Sequence, residues 1–264
     1  MNFGLKDKRV LITGSTSGIG FATARALAHE NAEIVVNGRH KERVQEAVGL
    51  LRSEVPGSKI RGIAADVATQ AGCANLIQAL PEVDILINNM GIFAEMDFEA
   101  ITDEIWIQFF EANVLSGIRL SRHYLQGMRT RDWGRIVFVS SESAIQIPTE
   151  MIHYGMTKTA QLAISRGLAE TLKKTGVTVN SVLPGPTSSE GVQKFINEMA
   201  QNRGISPDQC EKEFFTTVRP SSILQRFTTT EEVAAMICYV CSAQASGTTG
   251  AALRVDGGVV RAIV

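Results

Sequence analysis

The chain has 264 residues, with 26 Lys and Arg set against 27 Asp and Glu for a formal net charge of −1. A composition of 44% hydrophobic and 20% charged residues is that of a globule with a large core, and it excludes a disordered chain. With the charges so nearly cancelled, no global field draws the molecule to nucleic acid or to an anionic membrane, and neither is expected as a partner.

Taken in chain order, apolar runs rich in Val and Ile at residues 9–13, 33–37, 59–64, 83–88, 135–140, 177–183 and 251–255 read as seven strands with helical patterns between them. Several are apolar nearly throughout, as strands covered by helices on both faces must be. Strand, helix, strand repeated along one chain implies a doubly wound, parallel, seven-stranded sheet of the α/β class. No repeat, low-complexity tract or Pro/Gly/Ser linker divides the chain, so a single domain over residues 1–264 is expected.

The rhythm breaks at about 186–227, where two helix-like pieces, around 188–202 and 207–218, follow the sixth strand. An insertion at the carboxyl end of a strand is placed to form a lid over a substrate site. In the last helical stretch Cys238 and Cys241 form a lone C-x-x-C with no second pair or His cluster nearby. They read as small apolar residues of a buried helix face, and no metal is expected. Together with Cys73 and Cys210 they are too few and too scattered for a disulfide scaffold, which points to a reducing compartment. Residues 1–10 carry charges and no apolar signal core, so a cytoplasmic location is expected. The uncharged stretch 233–253 turns to Ser, Thr, Gln and Gly over 242–250 and is too polar to span a bilayer.

Directly after the first strand, Thr13-Gly14-Ser15-Thr16-Ser17-Gly18-Ile19-Gly20 leads into the helical run 21–28. Glycines in that position let the backbone turn sharply and approach a pyrophosphate, whose charge is met by amides at the helix N-terminus. The spacing is G-x-x-x-G-x-G. Downstream come Asn88-Asn89-Met90-Gly91, Ser140-Ser141, Tyr154 to Lys158, Pro184-Gly185-Pro186-Thr187, Arg226-Phe227, Glu231-Glu232-Val233, Thr249-Gly250 and Val255-Asp256-Gly257-Gly258. In this order, over almost the whole chain, the set resembles the short-chain dehydrogenases/reductases, of the short type similar to 3-oxoacyl-[acyl-carrier-protein] reductases. The resemblance implies a Rossmann-type fold, an NAD(P)(H) cofactor and interconversion of a small-molecule carbonyl with a secondary alcohol by hydride transfer. It also implies a homo-oligomer, tetramer or dimer, built through the helices after strands four and five. Met90 and the Met156-Thr157 pair depart from the family's commonest residues, which touches local packing more than the reaction.

The residue ending the second strand meets the adenosine ribose, so its charge selects the cofactor. Gly38 stands where NAD-preferring relatives carry an acid, leaving Arg39, with Ser15 as a second donor, to bond a 2′-phosphate. NADP(H) is therefore expected ahead of NAD(H). Gly14, Ser15, Ser17, Gly18, Ile19 and Gly20 are the candidate pyrophosphate contacts. Asp66 and Val67 resemble the family's adenine-contacting pair, although Asp66 also suits a helix N-cap. The resemblance adds Asn89 and Gly91, and places Pro184, Gly185 and Thr187 around the nicotinamide carboxamide.

Tyr154 and Lys158, four apart on a helix read from residue 150 onward, emerge on one face a turn apart. A reference Tyr, with a pKa near 10, is phenolate about once in a thousand at pH 7. A neighbouring ammonium together with an oxidised nicotinamide favours the phenolate and makes Tyr154 a general acid/base. By resemblance, Lys158 also holds the nicotinamide ribose. Ser141, thirteen residues before Tyr154, hydrogen-bonds the substrate carbonyl oxygen, and Asn113 holds a proton-relay water beside the lysine. Ser143, Gln146, Glu150 and His153 are placed to shape the pocket, and Glu142 is expected to face solvent or a neighbouring loop. A dinucleotide-sensing protein without turnover stays open as an alternative, while the short length and glycine spacing disfavour a nucleotide-sugar epimerase.

Overall fold

The computed structural model describes residues 3–263, so residues 1, 2 and 264 of the expected domain lie outside the described residues. The first half alternates β1 (Arg9–Ile12), α1 (Gly18–His29), β2 (Glu33–Gly38), α2 (Lys41–Glu54), β3 (Lys59–Ala64), α3 (Gln70–Ala79) and β4 (Ile85–Asn88). Next, α4 (Asp103–Phe110) runs through a π-helical turn (Glu111–Leu115) into α5 (Ser116–Thr130), followed by β5 (Gly134–Val139), α6 (Ile152–Glu170) and β6 (Val177–Pro184). Then α7 (Glu190–Arg203) and α8 (Pro207–Thr217) precede α9 (Thr230–Cys241) and β7 (Ala252–Val255). Every strand pairing is parallel, in the order β3-β2-β1-β4-β5-β6-β7. The seven apolar runs are these seven strands, with ends shifted by a residue or two.

Successive side chains of a strand point to opposite faces, and the continuous apolar runs use both. Val10, Ile12, Ile34, Val36, Ile85 and Ile87 form one core with α1, α2 and α9. Their neighbours Leu11, Val35 and Leu86 join Ile136, Phe138 and Val179 in a second core beneath α3, α5 and α6. Cys238 and Cys241 lie in the first core, where burial pushes the Cys238 thiol up to about 12 and raises that of Cys241 as well. A thiolate is disfavoured at either position.

The 186–227 insertion forms the two expected helices with a small core of its own: Ile196, Ala200, Cys210, Phe215 and Phe227. Ser189 caps α7 by accepting from the Val192 amide, and Gly204, at φ +66°, ends it in the left-handed region. Ser206 caps α8, with Pro207 at its first position. No helix among the described residues is long and apolar enough to cross a membrane.

Candidate active site

β1 lies between β2 and β4, and the chain runs outward from that point in both directions, which opens a crevice beyond the carboxyl ends of β1 and β4. The glycine loop crosses this crevice. Gly14 and Gly18 have φ of +61° and +57°, a region glycine enters without strain. At Gly20 the constraint is space, since a Cβ would stand 2.6 Å from both Asn89 Nδ2 and Gly14 O. Asn89 braces the loop by donating from Nδ2 to Thr13 O and Gly14 O at 2.9 Å each. The Asn89 and Met90 amides both donate to Thr13 Oγ1 at 3.0 Å, so Met90 is accommodated without loosening the turn. Ser17 caps α1 without a side-chain hydrogen bond of its own.

Ser15 does not offer its hydroxyl to a phosphate. It is buried, donates to Ile12 O at 2.7 Å and accepts from the Asn37 amide at 3.0 Å. A hydroxyl has one proton, and here that proton ties the loop to the end of β1. Arg39 is exposed just past β2. Thr16, passed over in the sequence, packs against Gly38, where its Cγ2 would lie 2.7 Å from a Cβ. Asp66 accepts from the Ala68 amide at 3.1 Å, while Thr69 is the cap of α3. Val67 belongs to the second core.

A cavity of about 510 Å³ runs from Ser17, Gly18, Ile19 and Gly20 past Asn89 and Gly91 to Ser141, Tyr154 and Lys158. Pro184, Gly185 and Thr187 line it as well, as do Val192, Ile196 and Phe214 of the insertion. Gly14, Ser15, Arg39, Asp66, Val67 and Asn113 lie outside its lining. Tyr154 and Lys158 share one face of α6, with Lys158 Nζ 5.5 Å from the centre of the Tyr154 ring. Lys158 Nζ donates to Val139 O at 2.9 Å, and Gly91 leaves room for it, because a Cβ there would be 3.3 Å from Nζ.

Burial pulls Lys158 down to about 8. Burial also pushes the Tyr154 phenol up. A hydrogen bond with Ser141 pulls it back, the Glu142 charge raises it again and the Arg219 charge lowers it.

Asn113 sits in the π-helical turn and clasps the chain after β4. Its Oδ1 accepts from the Ile92 amide at 2.7 Å, and its Nδ2 donates to Ile92 O and Thr157 Oγ1 at 3.0 Å each. Its backbone carbonyl accepts from Gln161 Nε2 at 2.5 Å, and Gln161 Oε1 lies 3.5 Å from Lys158 Nζ. Asn113 thus braces the β4 turn against α6, and Gln161 is a member of the cluster that sequence reading missed.

Three further expectations are corrected. Glu142 does not face solvent: it is 5% exposed, because a 3-10 turn at Glu142–Ala144 folds it inward beside Ser141. Its Oε2 accepts from Ser141 Oγ at 2.6 Å and its Oε1 from Arg219 Nε at 3.3 Å. Arg219 also donates from Nη1 to Glu150 Oε1 at 3.3 Å. His153 is fully buried outside the cavity, with ring centres 4.2 Å from Phe109 and 6.0 Å from Trp106. Burial pulls its pKa down. Of the proposed pocket residues Ser143 and Glu150 line the cavity, and Gln146 and His153 do not.

Residues 8–200 match the family model for short chain dehydrogenases. The chain belongs to the short-chain dehydrogenases, a family of NAD(P)-dependent oxidoreductases. This short-chain dehydrogenase is 44% identical over 263 residues, the whole of both chains, to the uncharacterized oxidoreductase YvaG of Bacillus subtilis (strain 168). It is 31% identical over 260 residues to a D-beta-hydroxybutyrate dehydrogenase of Cupriavidus necator, covering 97% of this chain and 99% of the relative. A solved structure of L-sorbose reductase from Gluconobacter frateurii, complexed with NADPH and L-sorbose, is similar with a TM-score of 0.94 at 31% identity over the whole of both chains.

Proposed function

We propose that this short-chain dehydrogenase interconverts a carbonyl and a secondary alcohol with NADP(H), using Tyr154 as general acid and base. The observation that carries the reading is one continuous cavity that joins the glycine loop to Tyr154, Lys158 and Ser141. The residues present fit a dinucleotide. Ser17, Gly18, Ile19 and Gly20 line the cavity at the start of α1, whose cap Ser17 makes no side-chain hydrogen bond to the helix amides. The preference for NADP(H) is supported by the exposed Arg39 just past β2 with no acid at Gly38, and by the L-sorbose reductase neighbour having been solved with NADPH.

When bound, the nicotinamide supplies or takes up the hydride. In reduction Tyr154 donates its proton to the carbonyl oxygen, and in oxidation it takes the alcohol proton. Ser141 orients that oxygen. Lys158, held by Val139 O and flanked by Gln161, positions the ribose and lends positive charge. The insertion helices α7 and α8 close one wall as a lid and limit water around the reacting atoms.

Tyr154→Phe tests this. With NADPH and a panel of ketones, turnover is expected to fall about 10²–10⁴-fold, while NADPH affinity, read by fluorescence, is unchanged. A Phe variant with full turnover would overturn the assignment.

A further inference from the structure

Lys158 carries a buried charge with no counter-ion. It is 4% exposed, its Nζ donates to Val139 O at 2.9 Å and to Gln161 Oε1 at 3.5 Å, and among the described residues no carboxylate forms an ion pair with it. We propose that Gln161 is a positioning residue for Lys158: its amide, anchored on the Asn113 carbonyl, turns an oxygen onto the ammonium and keeps it charged without neutralising it. The kinetic part of this rests on the proposed use of Lys158 beside Tyr154.

The two neighbours of the Gln161 amide decide which way it points. A carboxamide has one accepting and one donating end, an ammonium can only donate and a backbone carbonyl can only accept. With Nε2 donating to Asn113 O at 2.5 Å, Oε1 faces Lys158 Nζ. Turned over, the amide would set two acceptors together at one end and two donors at the other. The anchor is itself fixed. Asn113 stands in the π-helical turn, with both Nδ2 protons spent on Ile92 O and Thr157 Oγ1 and with Oδ1 accepting from the Ile92 amide. Thr157 Oγ1 in turn donates to Tyr154 O at 2.7 Å, which ties the same turn to the stretch of α6 that carries the phenol. Gln161 is 1% exposed, so protein groups rather than bulk solvent serve both its ends.

The residue type matters because three kinds of side chain at this position would act differently on a buried ammonium. An apolar one leaves Val139 O as the acceptor, and burial then favours loss of the proton. A carboxylate would hold the proton but cancel the charge that the phenol and a bound dinucleotide feel. An amide dipole favours the ammonium, leaves its charge whole and leaves the third Nζ proton for the cavity that Lys158 lines. Around Nζ are packed α6, the end of β5, the β4 turn at Gly91 and the π-helical turn, and the titratable group they bring is Tyr154, with its ring centre 5.5 Å away. The charged groups elsewhere in the cavity lining, Glu95, Glu142, Glu150, Glu190 and Arg219, form no ion pair with it.

The test reads the Lys158 side chain directly, by carbon NMR of the whole protein labelled with ε-¹³C-lysine and free of cofactor, its signal assigned as the one missing from Lys158→Met. Gln161→Met keeps the length of the side chain and offers only a weak acceptor, and it is expected to lower the Lys158 midpoint by about 1 pH unit. In reduction with NADPH its loss of kcat/KM should then grow about 5–10-fold between pH 6 and pH 9, because the lysine discharges earlier. A merely structural defect would lower kcat/KM by the same factor at every pH. In the wild-type protein the Gln161 side-chain amide signals should titrate with the Lys158 midpoint, a readout that needs no variant to fold. A Lys158 midpoint unmoved or raised in Gln161→Met, or Gln161 amide signals that do not follow Lys158, overturns the inference. Full turnover in Tyr154→Phe overturns the proposed function instead, and leaves the pairing of Gln161 with Lys158 to stand or fall on the NMR midpoints.

Discussion

Lys158 should cost the fold stability in proportion to what it contributes to the reaction, and Lys158→Met measures that cost. Burial holds the ammonium at about 8 against 10.5 for the free side chain. At 1.36 kcal/mol per pH unit, keeping it charged at pH 7 costs about 3 kcal/mol. Methionine fills nearly the same volume without charge but leaves Val139 O unpaired, which takes back about 1–2 kcal/mol. Lys158→Met is therefore expected to be more stable than wild type by about 1–2 kcal/mol at pH 7, and inactive. The sign with pH follows from proton counts. Between the folded and unfolded pKa values the unfolded chain holds the proton and the native lysine does not, so wild-type stability rises with pH there. The advantage of the variant should shrink by about 2 kcal/mol between pH 7 and about pH 9.5, as read from urea unfolding without cofactor. A gap that does not change with pH, or a variant less stable than wild type at pH 7, would refute the reasoning.

Arg39→Leu is expected to weaken NADPH binding by about 10–100-fold, the worth of a charge-assisted phosphate contact, and to leave NADH binding nearly unchanged, as measured by fluorescence titration. Gly20→Ala forces a methyl group to within 2.6 Å of Asn89 Nδ2 and Gly14 O. It should abolish NADPH binding and lower stability by about 1–3 kcal/mol in the same urea assay, because the loop cannot open without losing its bonds to Asn89. Thr229→Ala removes half of the capping box at the start of α9, outside the cavity lining. It should cost about 1 kcal/mol of stability and leave NADPH affinity as it was.

The strands were legible because a parallel sheet buried on both faces favours short, nearly continuous apolar runs rich in Val and Ile. Their order was not readable residue by residue. The handedness of β-α-β crossovers does not fix it either, and the observed reversal at β1 and β4 fits the glycine loop lying there. Tyr154 and Lys158 were legible for a similar local reason, since four residues along a helix is one turn. Ser141 required the family's spacing, because what brings it to Tyr154 is the meeting of β5 with the start of α6, which no periodicity encodes.

What stayed hidden in the sequence was which charges cancel. Glu142 has the composition of a surface residue, and only its pairing with Arg219, 77 positions along the chain, makes its burial tolerable. Ser15 was hidden in the same way: as a sequence letter it is a donor, and only the closing of β1 on β2 decides where its one proton goes. Gln161 looks like a polar residue on an amphipathic helix until Asn113 O and Lys158 Nζ are found at its two ends. In each case the residue type states a capacity to give or take a hydrogen bond, and the fold assigns it to a partner. A serine in a family motif is thus evidence that a hydroxyl is present, but whether that hydroxyl can donate to a substrate depends on the carboxylate beside it and on the arginine that balances that carboxylate.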